Sequence, residues 1–212
     1  MELLNIKEEY PSKFYIFVNT LNPMTEHNFK LSGRFTSGAF GGLFDQKTLK
    51  KYITGEIRYL PYESCQMDDM ALSPYFLTAI NDYRIEYDAE VFRKKYYPLY
   101  PSRLSAIYAF GDYESCKKAS KAHGWDLSTV QKFKLIEHPL NRVVKVNMEH
   151  VSLARHAYKV SMLQNIETLW KNYWIGSGNI TVELPASNFS RKTFDSGKIW
   201  EYLIEGAVEH IR

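Results

Sequence analysis

The sequence predicts a mixed α/β fold of the α+β kind, organised as one domain over residues 1–212. Three observations predict it. A long helical pattern runs from about Ser73 to Tyr97. Several short runs, among them Phe14 to Val18 and Arg142 to Asn147, are apolar or alternate as strands do. No internal repeat, low-complexity tract or Pro/Gly/Ser-rich linker divides the chain.

Each element has a local reason. Phe14-Tyr15-Ile16-Phe17-Val18 lies between Pro11 and Asn22-Pro23 and reads as a buried strand. Gly33 to Gly42 holds four glycines in ten residues and reads as a loop. Asp45 to Ile53 starts like a helix, with Asp45 as its N-cap. In the long helix Phe76, Ile80, Tyr83, Tyr87 and Val91 recur at spacings of three and four, which places them on one face. Ser73-Pro74 suits its start, and Pro98 and Pro101 stop it. Leu104 to Phe110 is strand-like, and Asp112 to His123 is a helix closed by Gly124. Val130 to Ile136 and Arg142 to Asn147 are strands joined by a turn around His138-Pro139. Met162, Ile166, Leu169 or Trp170, and Tyr173 mark a second amphipathic helix, and Trp200 to Ile211 is a final strand.

Composition narrows the function. Aromatic residues reach 15%, which suits either a Tyr-rich core or a cleft that stacks flat rings. The net charge of +3 is below that of a dedicated nucleic-acid binder, so the basic runs matter only if they converge. Those runs are Lys47, Lys50 and Lys51; Arg93, Lys94 and Lys95; and Lys117, Lys118 and Lys121. Cys65 and Cys116 supply neither a disulfide framework nor a metal-binding pair, which fits a reducing cytoplasm. The charged stretch Met1 to Tyr10 lacks the apolar segment of a signal peptide. No apolar run approaches the ~18 residues of a membrane span. No metal site is predicted.

The common catalytic signatures are absent. There is no P-loop, nucleophile elbow, HExxH or zinc-type Cys/His set, and Gly38-Ala39-Phe40-Gly41-Gly42 has the wrong spacing for dinucleotide binding. The Gly33 to Gly42 segment is either a surface loop or a place where backbone N–H groups approach a phosphate, with Arg34 pairing to it. Arg103, in Pro101-Ser102-Arg103, either reaches a phosphate or pins the helix to the sheet through an ion pair. His123, His138, His150 and His156 read as surface or capping residues. In Trp200 to Gly206 the side chains alternate, so Glu201, Leu203 and Glu205 share one face and Trp200, Tyr202 and Ile204 the other.

Four segments occur in a telling order. They are Val91-Phe92-Arg93-Lys94-Lys95-Tyr96-Tyr97-Pro98, Pro101-Ser102-Arg103-Leu104 with its apolar strand, Tyr173-Trp174-Ile175-Gly176, and Trp200-Glu201-Tyr202-Leu203-Ile204-Glu205-Gly206. Together they resemble a bacterial and phage mono-ADP-ribosyltransferase-like family of the ADP-ribosyltransferase superfamily, over roughly residues 75 to 212. The resemblance implies a split-sheet core with flanking helices. It implies Glu201 as the catalytic carboxylate, at the start of the matching strand, and NAD as the substrate. By the same resemblance Tyr15, Tyr173 or Trp174 stacks on nicotinamide, and Arg34 or Arg103 holds the diphosphate. Many members carry a His in the first strand; here Ile16 or Phe17 stands near that point, and Asn19 is the polar substitute.

The expected function is therefore transfer of ADP-ribose from NAD to a macromolecular acceptor, nucleic acid ahead of protein. Enzymes of this class are often phage effectors, toxins or defence proteins, some with an antitoxin-like partner. Two other readings stay open: an inactive binding module that kept the fold, and an NAD-independent nucleic-acid-binding protein.

Overall fold

The computed structural model describes residues 10–59, 74–160, 166–185 and 191–211. The chain opens with strand β1 (Phe14–Phe17), whose buried Phe14 and Ile16 alternate with half-buried Tyr15 and Phe17. Helix α1 (Pro23–Ser32) starts where Asn22 Oδ1 accepts the N–H groups of Met24 and Thr25. Strand β2 (Arg34–Thr36), the single helical turn α2 (Gly38–Gly41) and α3 (Gln46–Thr54) follow. Asp45 caps α3 as the sequence predicts, accepting the Thr48 N–H at 2.8 Å. Then come α4 (Pro74–Tyr96), β3 (Ile107–Ala109), α5 (Tyr113–His123), β4 (Val130–Leu135) and β5 (Arg142–Asn147). Helices α6 (Met148–Val160) and α7 (Ile166–Trp174) precede β6 (Thr181–Pro185), β7 (Arg191–Asp195), β8 (Trp200–Glu205) and β9 (Ala207–His210).

Among the described residues the strands form three antiparallel sheets: β1-β4-β9-β2, β3-β8-β5 and the hairpin β6-β7. The fold is thus mixed α+β. The expected final strand is two strands. β8 lies at the centre of the three-stranded sheet, and β9 lies inside the four-stranded one. Gly206 is the joint between them. Its N–H donates to Ser37 Oγ at 3.0 Å and its carbonyl accepts the Ser37 N–H at 2.9 Å. The two sheets face each other across Phe14, Ile16, Phe133 and Val208 on one side and Ala109, Tyr202 and Ile204 on the other. The opposite face of β8 and β5 packs through Leu203, Val144 and Val146 onto α4, α6 and α7.

Two expectations are corrected. The Gly33 to Gly42 segment is not a loop throughout, because Arg34, Phe35 and Thr36 pair with Glu209, Val208 and Ala207. That pairing is tertiary, and the local glycine content hides it. The buried stripe of α4 is also not the predicted one. Ile85, Ala89, Glu90 and Arg93 are buried, whereas Val91 is exposed and Tyr83 and Tyr87 are half-buried. The stripe contains charged residues that pair inside the core, so an apolar pattern cannot find it. The side chains of Phe76 and Ile80, and all of Ser73, Cys65 and Met162, lie outside the described residues. Among the described residues no helix is long and apolar enough to cross a membrane.

Candidate active site around Glu201

Glu201 is the second residue of β8, paired with Val146 of β5. The alternation predicted for this strand places its side chain on the Leu203 side, under the helices, where it is only 5% exposed. Three elements close over it. The segment between α4 and β3 brings Arg103, α7 brings Tyr173 and α4 brings Glu86. Tyr173 comes at the end of α7 because Gly176 lets the chain turn there with φ 62°, where an added Cβ would meet Lys145 O at 2.8 Å. Trp174, next to it, is enclosed and donates its indole N–H to Ala89 O at 3.1 Å. It is a core strut behind Tyr173 and presents no ring to a ligand.

Arg103 is the hub. Its Nε and Nη2 donate to both oxygens of Glu86 at 2.8 and 2.9 Å. Its Nη1 donates to the Tyr173 hydroxyl at 2.5 Å and lies 3.6 Å from Glu201 Oε1. The Tyr173 hydroxyl is itself 3.5 Å from that same oxygen and donates to it. The guanidinium lies 5.4 Å from the ring centroids of both Tyr108 and Tyr173. Of the two readings open for Arg103, the ion pair that pins helix to sheet is the one observed.

Burial pushes the Glu201 carboxyl up to about 7, with Arg103 opposing that rise and the nearby Glu86 carboxylate adding to it. Glu86 behaves differently. Burial works against its charge as well, but Arg103 and Arg155 outweigh it and hold Glu86 below the usual carboxylate range. The short bidentate contact explains the division: Arg103 is committed first to Glu86 and second to Glu201. Two carboxyl groups with separated proton affinities around one cation are an arrangement suited to acid–base or electrostatic work on a sugar.

The cluster reaches solvent on one side. Tyr108 is 38% exposed, and the half-exposed Arg155 of α6 lies 3.9 Å from Glu86 and 4.0 Å from Asp82. Glu86, Tyr108 and Arg155 were not singled out from the sequence. The available signal was the set Glu86, Glu90 and Arg93, spaced by four and three along the inward side of α4.

A family model for a protein family of unknown function, DUF2441, matches residues 5–211. The chain belongs to the DUF2441 family. No curated protein matches it.

The other predicted site residues of this DUF2441 chain do not join Glu201. Arg34 pairs with Glu209 at 2.7 Å on the surface, where it and Lys134 hold that carboxyl below its ordinary range. Glu209 is eight positions beyond Glu201, on the order of 25 Å along the strands. Tyr15 stands on the α5 side of β1, against Tyr113, with the Lys132 ammonium 5.9 Å from its ring centroid. Asn19 is exposed, and its Oδ1 accepts the Leu21 N–H in the turn after β1. Of the four histidines read as surface or capping residues, His150 departs most from that reading. His150 is fully buried with Nε2 2.6 Å from Gly178 O, whereas His123 lies 2.8 Å from Glu149. His138 and His156 are exposed.

Proposed function

We propose that this DUF2441 chain breaks the glycosidic bond between nicotinamide and ribose in NAD and transfers ADP-ribose to a macromolecular acceptor. The observation that carries this reading is the enclosed Glu201 carboxyl, facing Arg103 and Tyr173 at the head of a strand that joins two sheets. The sequence resemblance in the same segment supports it.

The chemistry follows from charge. Loss of nicotinamide leaves positive charge on the ribose C1′ and ring oxygen. An ionised carboxylate fixed beside that sugar stabilises the charge more than water does, because the low-dielectric pocket has already oriented it. Arg103 and Tyr173 favour the ionised form of Glu201, and a bound cationic nicotinamide ring favours it further. Tyr108 offers a ring at the open side of the cluster. The half-exposed Arg155 is the cation best placed for a phosphate, in place of Arg34 and Arg103, which the sequence suggested.

Nucleic acid is the acceptor class that the surface favours. Tyr113 and Trp125 are 40% and 41% exposed, and Lys117 lies 5.5 Å from the Tyr113 ring centroid. A second reading rests on the enclosure of Glu201: a structural polar network in a non-catalytic binding module. Nicotinamide release and ε-NAD fluorescence separate them, measured with and without single-stranded RNA, single-stranded DNA or protein acceptors. Release that is lost in Glu201→Gln supports transfer. Absence of both NAD binding and release under every acceptor condition overturns it, and a fully active Glu201→Gln removes Glu201 from the mechanism.

A further inference from the structure

We infer that Arg103 is a positioning residue for Glu201, locked in place by Glu86, and is not a ligand for the substrate's phosphates. The inference rests on the catalytic reading of Glu201 for its kinetic consequences, but its geometry stands alone.

Four observations carry it. First, the guanidinium has little freedom. Its side chain is 7% exposed, and Glu86 holds two of its nitrogens at 2.8 and 2.9 Å. Second, the remaining nitrogen points to the Tyr173 hydroxyl at 2.5 Å and the Glu201 carboxyl at 3.6 Å. Third, the rings of Tyr108 and Tyr173 crowd it, both with centroids 5.4 Å from the guanidinium carbon. Fourth, Tyr108 donates its hydroxyl to the Arg103 carbonyl at 2.8 Å, which ties the backbone to the same ring. A phosphate would have to displace Glu86 to reach the fork, exchanging an internal carboxylate for an external anion with little net gain. Glu201 instead has both groups at one oxygen: the Tyr173 hydroxyl donates to Oε1, and the Arg103 charge lies 3.6 Å from it. With Oε1 engaged in this way, we assign the substrate hydroxyl to Oε2. Glu86 thereby acts on Glu201 through Arg103, and Lys cannot replace Arg because one ammonium cannot span both oxygens of Glu86 while facing Tyr173.

The test uses the full chain with 13C-labelled glutamate carboxyls, the Glu201 signal being identified by its loss in Glu201→Gln. In Arg103→Met the Glu201 ionisation constant is expected to fall tenfold or more, by roughly one pH unit upward in midpoint. The double variant Glu86→Gln/Arg103→Met, which leaves no uncompensated buried charge, is expected to shift the same way by less, because Arg103 outweighs Glu86 at Glu201. In nicotinamide release, Arg103→Lys is expected to lower kcat by about 100-fold, the typical cost of a misplaced catalytic group, with KM for NAD nearly unchanged. Glu86→Gln is expected to lower kcat in the same way, and the Glu86→Gln/Arg103→Lys pair to cost little more than either change alone. An unmoved Glu201 midpoint in both Arg103→Met and the double variant, each retaining near-ultraviolet circular dichroism, overturns the inference. So does a raised KM with kcat intact in Arg103→Lys. If the wild type releases no nicotinamide, the transferase reading fails, and the carboxyl titration still decides the role of Arg103.

Discussion

Glu201 and Glu205 stand on the same face of β8, and both are enclosed, yet they answer to different partners. Glu201 shares one arginine with Glu86, beside the part-exposed Tyr108. Glu205 Oε1 accepts the Ser102 N–H at 3.0 Å, Ser105 Oγ at 2.5 Å and the Tyr59 hydroxyl at 2.9 Å, while Oε2 lies 4.0 Å from Arg142 Nη1. Ser102 also donates to Glu90, which grips Arg93, and Arg93 donates to the carbonyls of Pro98 and Tyr100. About four residues of strand, roughly 13 Å, separate a carboxyl suited to chemistry from one suited to holding the fold.

The structural role of Glu205 predicts a large cost for its removal. Glu205→Ala leaves two hydroxyls and one backbone N–H without their acceptor inside the core, and Arg142 without its ion-pair partner. The expected loss is about 3–5 kcal/mol in urea unfolding, well beyond the effect of an ordinary surface substitution. A loss under 1 kcal/mol would mean that water replaces the carboxyl freely.

Glu201 predicts an unusual pH dependence. Its folded midpoint of about 7 lies above the ordinary 4.5, so the native state holds the proton more tightly than the unfolded chain does. The stability it contributes is therefore complete below about pH 4.5 and is lost as the pH rises through 7. Glu201→Gln, which has no such proton, gains on the wild type across this window and reaches an advantage of up to about 3 kcal/mol above it. Thermal unfolding at pH 5 and pH 8 measures the difference. A variant that is more stable and inactive marks a site kept for function at a cost to folding.

His150 predicts the opposite slope on the acid side. Burial lowers its proton affinity below the ordinary 6.5, with the Gly178 carbonyl as the opposing influence. Its contribution is present above that value and is lost as the pH falls through the folded midpoint. His150→Gln should flatten the acid limb of the stability curve, even if it lowers the plateau. An unchanged acid limb would assign the loss to other groups.

Gly206 predicts a steric effect at the joint between the sheets. A Cβ there would meet Asn141 Oδ1 at 2.7 Å, Asn141 Cγ at 3.2 Å and Leu135 Cδ1 at 3.3 Å. Asn141 cannot yield cheaply, because its Nδ2 donates to Ile136 O at 2.8 Å. Gly206→Ala should cost about 1–3 kcal/mol in chemical denaturation, whereas a null effect would show that the joint has slack.

Much of the fold is legible in the sequence where local chemistry decides it. The Asp45 cap, the Gly124 stop and the alternation of Glu201, Leu203 and Glu205 are set within a few residues and lie as expected. Elements decided by distant partners are not legible. Strand β2 needs β9, and helix α6 and the β6–β7 hairpin carry no pattern strong enough to be predicted. For the candidate site, Glu201, Arg103 and Tyr173 come together. Glu86 is missed because a carboxylate on a helix reads as solvated until its arginine is placed beside it, and the pairing of Arg34 is not legible because Glu209 lies across the sheet.

The joint at Gly206 also sets an order of events during folding. Residues 200–210 supply an inner strand to each of the two main sheets, so neither sheet has its full set of neighbours until that stretch has been synthesised. Pairing β9 with β2 closes a loop of most of the preceding chain, and pairing β8 with β3 one of nearly half of it, which is slow compared with forming helices. The helices that cover Glu201 thus complete their set of partners only after the strand that carries it arrives. Completion of the candidate site and completion of the two sheets become the same late step.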